Sequence, residues 1–299
     1  MANRLVVITG ATGNIGKKIS ETLLAKKIPI RVVARHADKL QELVAKGAEA
    51  IVGSLDDQAT MAKAFAGADA VFAMIPPNFV VPDFRAYQNK VGESLAQAIQ
   101  ASGVKYVANL SSLGAHQPGG LGPINGVHDQ ELRLNKLSDV NVLHLRPTYF
   151  MENQLMSLGM IKQMGINGSA MRGDVAFPMI ATADIAAVAA EALEKKDFKG
   201  KSVLELLGPA DISLQEATVL IGKAIGKPDL KYVQFSYEDT QKALLGMGFS
   251  PDLARLFVEM SKGSNEGLMK PTQARSAKNT TPTTFAEFSK VIASIYNQG

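Results

Sequence analysis

The chain has 299 residues, 46% hydrophobic and 20% charged, which fits an ordinary globular protein and excludes a disordered or fibrous one. Its 32 basic and 28 acidic side chains leave a net +4 with no run of five like charges, so nucleic acid is not an expected partner. It has no cysteine, which excludes thiol catalysis, disulfides and thiolate metal sites and fits a reducing, cytoplasmic compartment.

The start, Met1-Ala2-Asn3-Arg4 before the apolar run Leu5–Ile8, has the outline of a signal peptide, but the run is too short for one. Leu5–Ile8 reads instead as a buried strand, and Ile15–Ala25 as the helix after it. Ile30–Val33 is the second strand, followed by a helix over Lys39–Ala45, and Glu49–Val52 is the third strand. Asp57 has the position of a helix N-cap. Ala70–Ile75 is the fourth strand, stopped by Pro76-Pro77. The charge-free stretch around it, Ala70 to Pro82, holds three prolines and is too short to span a membrane. Phe84, Tyr87, Val91, Leu95 and Ile99 recur at helical spacing, and Gly103 ends that helix. Val104–Leu110 and Val140–Leu145 are the fifth and sixth strands. The glycine- and proline-rich Gly114–Gly126 reads as a long loop.

Beyond Phe150 the pattern is less regular. Ala183–Leu193 reads as an apolar helix and Ser202–Leu207 as a strand. Ser213–Ile225, Tyr237–Leu245, Pro251–Ser261 and Thr284–Ile295 read as helices. Continuous apolar strands alternating with helices predict an α/β fold, a Rossmann-type doubly wound parallel sheet with a small, mostly helical C-terminal substrate lobe. The expected division assigns residues 1–150, with elements of 174–207 returning to them, to the nucleotide-binding domain. Residues 151–173 and 208–299 form the lobe.

Gly10-Ala11-Thr12-Gly13-Asn14-Ile15-Gly16 follows the first strand and opens the first helix. The glycine spacing alone is a weak signal; its position between strand and helix strengthens it. Only glycine lets the backbone turn sharply there and approach a pyrophosphate, to which the helix N-terminus offers free N–H groups. Gly10, Thr12, Gly13, Asn14, Ile15 and Gly16 are therefore dinucleotide-binding candidates. An NAD site usually carries an acid about 20 residues further on, for the ribose hydroxyls. The second strand here ends Val33-Ala34-Arg35-His36, without an acid. A guanidinium forks onto a 2′-phosphate that a carboxylate would repel, so Arg35, assisted by Lys39, predicts NADP(H) in preference to NAD(H).

At this point the chain resembles the NmrA-like group of atypical short-chain dehydrogenases. The likeness rests on the glycine motif, on Leu110-Ser111-Ser112-Leu113-Gly114-Ala115, on Leu145-Arg146-Pro147-Thr148-Tyr149-Phe150-Met151-Glu152-Asn153 and on Pro282-Thr283-Thr284-Phe285-Ala286-Glu287-Phe288. It implies a Rossmann domain binding NADP, a lobe that forms a substrate cleft, and Pro147 to Phe150 beside the nicotinamide. The group holds NADPH-dependent quinone, dye and azo reductases and also regulators that bind the cofactor with little catalysis. The chain departs from the wider superfamily in lacking Tyr-x-x-x-Lys, since none of its six tyrosines has Lys four residues on. The acid after the third strand is also displaced, Gly53-Ser54-Leu55 preceding Asp56.

Loops after the fourth, fifth and sixth strands are expected to frame the nicotinamide, through Ile75, Pro76, Ser111, Pro147, Tyr149 and Phe150. The catalytic candidates are Ser112 as a carbonyl-binding hydroxyl, His128 as a proton shuttle and Tyr149 as a stacking surface for a flat acceptor. The bland alternatives are a loop-capping serine and a His128 paired with Glu131. No two histidines have metal-ligand spacing, so no metal is expected. His144, in an apolar strand, reads as a satisfied core residue. Methionines 151, 156, 160, 164, 171 and 179 suit an adaptable pocket or plain core. Gly114–Gly126 and Tyr237–Gly248 are expected to form a movable cover.

The leading functional reading is an NADPH-dependent oxidoreductase acting on a small conjugated acceptor. The alternatives are a non-catalytic NADP(H) sensor working through a protein partner and, third, an epimerase-like isomerase. The oligomeric state is left open.

Overall fold

The computed structural model describes residues 4–298. The signal-like start, Met1 to Asn3, lies outside them. The first half runs β1 (Val6–Thr9), α1 (Asn14–Ala25), β2 (Ile30–Ala34), a 3-10 turn into α2 (Gln41–Ala45), β3 (Glu49–Val52), α3 (Gln58–Phe65), β4 (Ala70–Ala73), α4 (Phe84–Ser102), β5 (Tyr106–Leu110), α5 (Ile124–Asn135) and β6 (Asn141–Pro147). After it come β7 (Tyr149–Phe150), a 3-10 segment Met151–Ser157, α6 (Leu158–Met164), β8 (Ile166–Ser169), β9 (Phe177–Ile180), α7 (Thr182–Lys195) and β10 (Lys201–Leu206). The last elements are β11 (Asp211–Ile212), α8 (Leu214–Ala224), β12 (Lys231–Gln234), α9 (Tyr237–Gly246), α10 (Pro251–Asn265) and α11 (Phe285–Gln298).

Seven strands form one parallel sheet in the order β10-β6-β5-β4-β1-β2-β3. The chain thus switches direction between β1's two neighbours, β2 and β4, where open α/β sheets bind ligands. Side chains alternate along each strand and feed two cores. Val6 and Ile8 pack with Ile19 and Leu23 of α1 and Ile185 and Ala189 of α7. Val7, Val71 and Val107 pack on the other face with Phe65 of α3 and Leu95 and Ile99 of α4. Burial on both faces explains the unbroken apolar strands. Asp57 caps α3, accepting from the Ala59 N–H and the Thr60 hydroxyl.

A third core joins Met151, Ile161, Met179, Leu214, Ile221, Phe285 and Ile292. This part is less purely helical than its sequence reads, since it also contains a sheet β11-β9-β7 and a pair β12-β8. The irregular Glu266–Thr284 strap crosses back to β10. There the buried Glu205 carboxylate accepts from Thr272 N–H, Thr272 Oγ1 and Gln273 N–H, each at 2.8 Å.

The Gly114–Gly126 loop is shorter than expected, because α5 begins at Ile124. Gly126 lies inside that helix, where a Cβ would come within 2.0 Å of Gln88 Oε1 on α4. This glycine serves helix packing rather than a loop. Among the described residues no helix is long and apolar enough to cross a membrane.

Candidate functional site: two cavities along one sheet edge

The first cavity follows from how β1 ends. The Thr9 hydroxyl donates to the Phe72 carbonyl at 2.9 Å and accepts from the Met74 N–H at 3.1 Å, tying the ends of β1 and β4 together. Gly10 then turns with φ +65°. A Cβ on Gly16 would lie 2.2 Å from the Gly10 carbonyl oxygen, so the third glycine is what lets α1 pack against the turn. A Cβ on Gly13 would meet only that oxygen, at 3.5 Å, leaving its outer side open. Gly13 is the N-cap of α1, with no side-chain cap and no acid in the first turn, so the helix end is free for an anion. Thr12 and Asn14 are exposed beside it, while the Ile15 side chain is buried in the core.

A cleft of about 280 Å³ continues from Gly10 and Thr12 past Arg35, His36 and Lys39 to Asp56, Pro76 and Tyr87. Arg35 and Lys39 are exposed on its wall, and neither has a hydrogen-bond or ion-pair partner among the described residues. Asp56, read from sequence as displaced, does line this cleft. The Ser54 hydroxyl and then Lys90 hold its carboxyl below the usual range. Tyr87, read from sequence only as a helix-face residue, closes the same wall. Burial pushes its phenol up, and nearby Arg35 partly opposes that.

The second cavity, of about 610 Å³, opens beyond the ends of β5 and β6. Ser112, Thr148, Tyr149, Phe150 and Asn153 form one wall; Met260, Ser261, Ser264 and Asn265 of α10 face them. Met171 and Phe177 add apolar surface, and the strap contributes Gly267, Met269, Lys270 and Pro271. The Tyr149 ring meets Phe177 edge-on at 5.4 Å. Its hydroxyl accepts from Gln154 Nε2 at 2.9 Å, and burial pushes the phenol far up. Tyr149 is therefore a surface and a poor acid.

The family model for the NmrA-like family matches residues 2–289. The chain belongs to the NmrA-like family. An NAD(P)H azoreductase of Xenophilus azovorans is 29% identical over 301 residues, covering 98% of this chain and 99% of that one. An NADPH-dependent quinone oxidoreductase of Escherichia coli, crystallised with NADPH, superposes with TM-score 0.81 at 26% identity, over 96% of this chain and 99% of its own. The triphenylmethane reductase of Citrobacter sp., with NADP(H) bound, shares the fold: TM-score 0.80 at 19% identity, over 96% and 99% of the two chains.

Several candidates of this NmrA-like protein do not face either cavity. The Ser111 hydroxyl donates to Glu131 at 2.5 Å, and Glu131 is gripped by Arg146 through two bonds of 2.9 and 2.5 Å. All three are buried, so Ser111 is committed to an internal charge pair. His128 is not paired with Glu131. Its Nδ1–H donates to the Ala115 carbonyl at 2.8 Å, which fixes the tautomer and anchors the loop, and the residue lines neither cavity. Ser112 lines the second cavity, its hydroxyl turned onto the Leu113 carbonyl at 3.0 Å. Pro147 is buried, its carbonyl accepting from the Leu113 N–H at 2.9 Å. Pro76 lines the cleft, and Ile75 packs against the α4 side of the sheet. Phe150 packs on the α1 side while bordering the second cavity.

Of the six methionines singled out, only Met171 lines the second cavity; Met151 and Met179 are core, Met160 is half-buried, and Met156 and Met164 are exposed. Met260 and Met269, which periodicity did not single out, do line it. The Tyr237–Gly248 region expected as a cover contributes no wall residue; α10 and the strap take that place. Thr148 belongs to the Pro147 to Phe150 segment expected beside the nicotinamide. It is 4% exposed, lines the second cavity, and its hydroxyl has no partner.

Proposed function

We propose that this protein is a cytoplasmic, NADPH-dependent oxidoreductase of small conjugated acceptors, of the quinone, azo or dye type. The observation that carries the reading is the pair of cavities on one carboxyl edge of the sheet, the first beyond β1, β2 and β4 and the second beyond β5 and β6. The activities of the azoreductase and the quinone oxidoreductase named above support it. The first cavity fits a dinucleotide: an uncapped helix N-terminus, a glycine whose outer side is open, and a cleft long enough to reach Arg35. Gly10, Thr12, Gly13 and the N–H groups of Asn14 and Ile15 would hold the pyrophosphate. Arg35 and Lys39 would hold a 2′-phosphate, which is the basis for NADPH over NADH. Residues 1–150, joined by α7 and β10 from 174–207, would serve the cofactor; 151–173 and 208–299, with β9 packed against them, would serve the acceptor.

When bound, NADPH supplies a hydride. The chain's part is to hold a flat acceptor between the Tyr149–Phe177 face and the α10 wall and to exclude water. Reducing an isolated ketone makes a strongly basic alkoxide that needs a positioned acid. No acid is placed at the strand-end wall of the second cavity: Tyr149 is a poor acid, Asp211 is paired with Arg275, no histidine lines the cavity among the described residues, and the Lys270 ammonium stands on the strap. A quinone spreads the arriving charge, takes its proton from water and leaves as the hydroquinone. Steady-state NADPH oxidation tests this with benzoquinones, azo and triphenylmethane dyes beside acetophenone-type ketones. The expected result is turnover of the conjugated set well above the ketones. Tight NADPH binding without turnover of any acceptor would leave the sensor reading instead.

A further inference from the structure

We infer that the acceptor carries an anionic substituent, and that Lys270 selects it. This rests on the reading of the second cavity as the acceptor site. Three charged residues line that cavity. Arg172 is neutralised by Asp174 through bonds of 3.0 and 2.6 Å, and Asp211 is neutralised by Arg275. Lys270 has no hydrogen-bond or ion-pair partner among the described residues. The cavity therefore presents one uncompensated positive charge against a largely apolar wall.

Lys270 is an exposed side chain at the edge of the cavity. Lys270 folds back over the Gly267 turn, its Cε and Nζ lying 3.0 and 3.5 Å from where a Cβ on Gly267 would sit. Two residues further on, Glu205 clamps Thr272 and Gln273, which holds the strap in place. The cavity is thus polarised. Ser112 and Thr148, the latter with its unpartnered hydroxyl, stand at the strand ends, and the ammonium stands on the strap side. A flat ring with a carboxylate, sulfonate or phosphate substituent matches this arrangement. Its reducible part would face the strand ends and its acid group the strap.

Matched acceptors test the inference. kcat/KM is measured with NADPH for 9,10-anthraquinone-2-sulfonate and for neutral 2-(hydroxymethyl)-9,10-anthraquinone, in wild type, K270M, K270E and K270R. The sulfonated-to-neutral ratio is expected to fall about two- to fivefold in K270M, the range for one exposed charge pair, further in K270E, and to be kept in K270R. Raising the ionic strength should move wild type toward K270M, because salt screens such a pair. Calorimetric titration of redox-inert naphthalene-1-sulfonate into the enzyme–NADP+ complex gives a readout independent of turnover. Turnover with the ratio unchanged across the variants overturns the role of Lys270 and leaves the reductase standing. Lys270-dependent sulfonate binding without turnover of either quinone overturns the reductase and keeps the anionic site. Binding that is the same in all variants overturns the inference.

Discussion

Gly13 and Gly16 carry the same residue type for different physical reasons, and a methyl group separates them. At Gly16 an added Cβ would sit 2.2 Å from a backbone oxygen, so the helix must move away from the turn. Gly16→Ala should cost about 2 kcal/mol of stability or more, as backbone overpacking does. Gly13 has ordinary extended backbone and an open outer side, so Gly13→Ala should cost less than about 1 kcal/mol, the loss of a favourable N-cap residue. It should nonetheless weaken NADPH binding, since the methyl occupies the space a phosphate needs. Thermal unfolding with NADPH titration of both variants checks the contrast; equal destabilisation would contradict it. Arg35 is the second residue with a single purpose, an exposed cation with no partner on the cleft wall. Arg35→Ala should lower NADPH affinity about tenfold and leave NADH affinity nearly unchanged; tenfold is the low end for charge-assisted bonds because the site is exposed. Equal affinity of wild type for the two cofactors would remove the claim.

Helix ends show which elements are closed by the chain itself and which are left for something else. Asp83, Ser213, Ser236 and Ser250 cap α4, α8, α9 and α10 with their own side chains. α1 has no such cap, and it is the helix that opens on the first cavity. The start of α7 is held from elsewhere: Glu152 accepts from the Thr182 N–H and hydroxyl, while Asp184 in the first turn of that helix ties down Thr283 of the last segment. The strap is the element on which the second cavity depends, and Glu205 is its clasp. Glu205→Leu should remove the buried acceptor of the Thr272 and Gln273 N–H groups and cost about 1–3 kcal/mol. The KM for the acceptor should rise severalfold while NADPH affinity stays the same, because the cofactor cleft is built from other loops. Calorimetry and a KM-against-kcat comparison read the two effects separately; an equal loss of NADPH affinity would show that the strap supports both sites.

Across the whole molecule, one buried imidazole adds a mildly acidic step to the loss of stability at low pH. His144, 1% exposed, takes Asn109 Nδ2 on Nδ1 at 3.1 Å and gives Nε2–H to Asn135 at 3.0 Å, as a neutral ring must. Burial holds its pKa down at about 4, against 6.5 for a free imidazole. Between those values the unfolded chain binds a proton that the folded one refuses, so stability rises with pH there. Stability is thus full above about pH 6.5 and falls on acidification toward pH 4, by up to about 3 kcal/mol from this group alone. Urea unfolding between pH 4 and 7.5 checks this, and the non-titrating His144→Gln should flatten the slope. A wild-type slope that matches the variant's would assign the acid loss to carboxylates instead.

The features legible in the sequence are those written locally. Period-2 and period-3.6 patterns encode strand and helix within about ten residues, and a glycine that must turn between them leaves its mark in place. Hence the parallel sheet, the glycine turn into α1, Arg35 at its strand end, Asp57 as a cap and the membership in the NmrA-like family all stand in the chain as read. The second cavity is different, because its walls meet from far apart in sequence. Ser111 reads as a cofactor contact until Glu131, 20 residues on, takes its hydroxyl. Met260, Met269 and Lys270 carry no local signal, and their place depends on a strap clasped by Glu205 across 67 residues. Which polar groups are satisfied and which are left free for a ligand is settled by long-range packing. Local preference decides what each segment becomes, and only the packed core decides what each side chain touches.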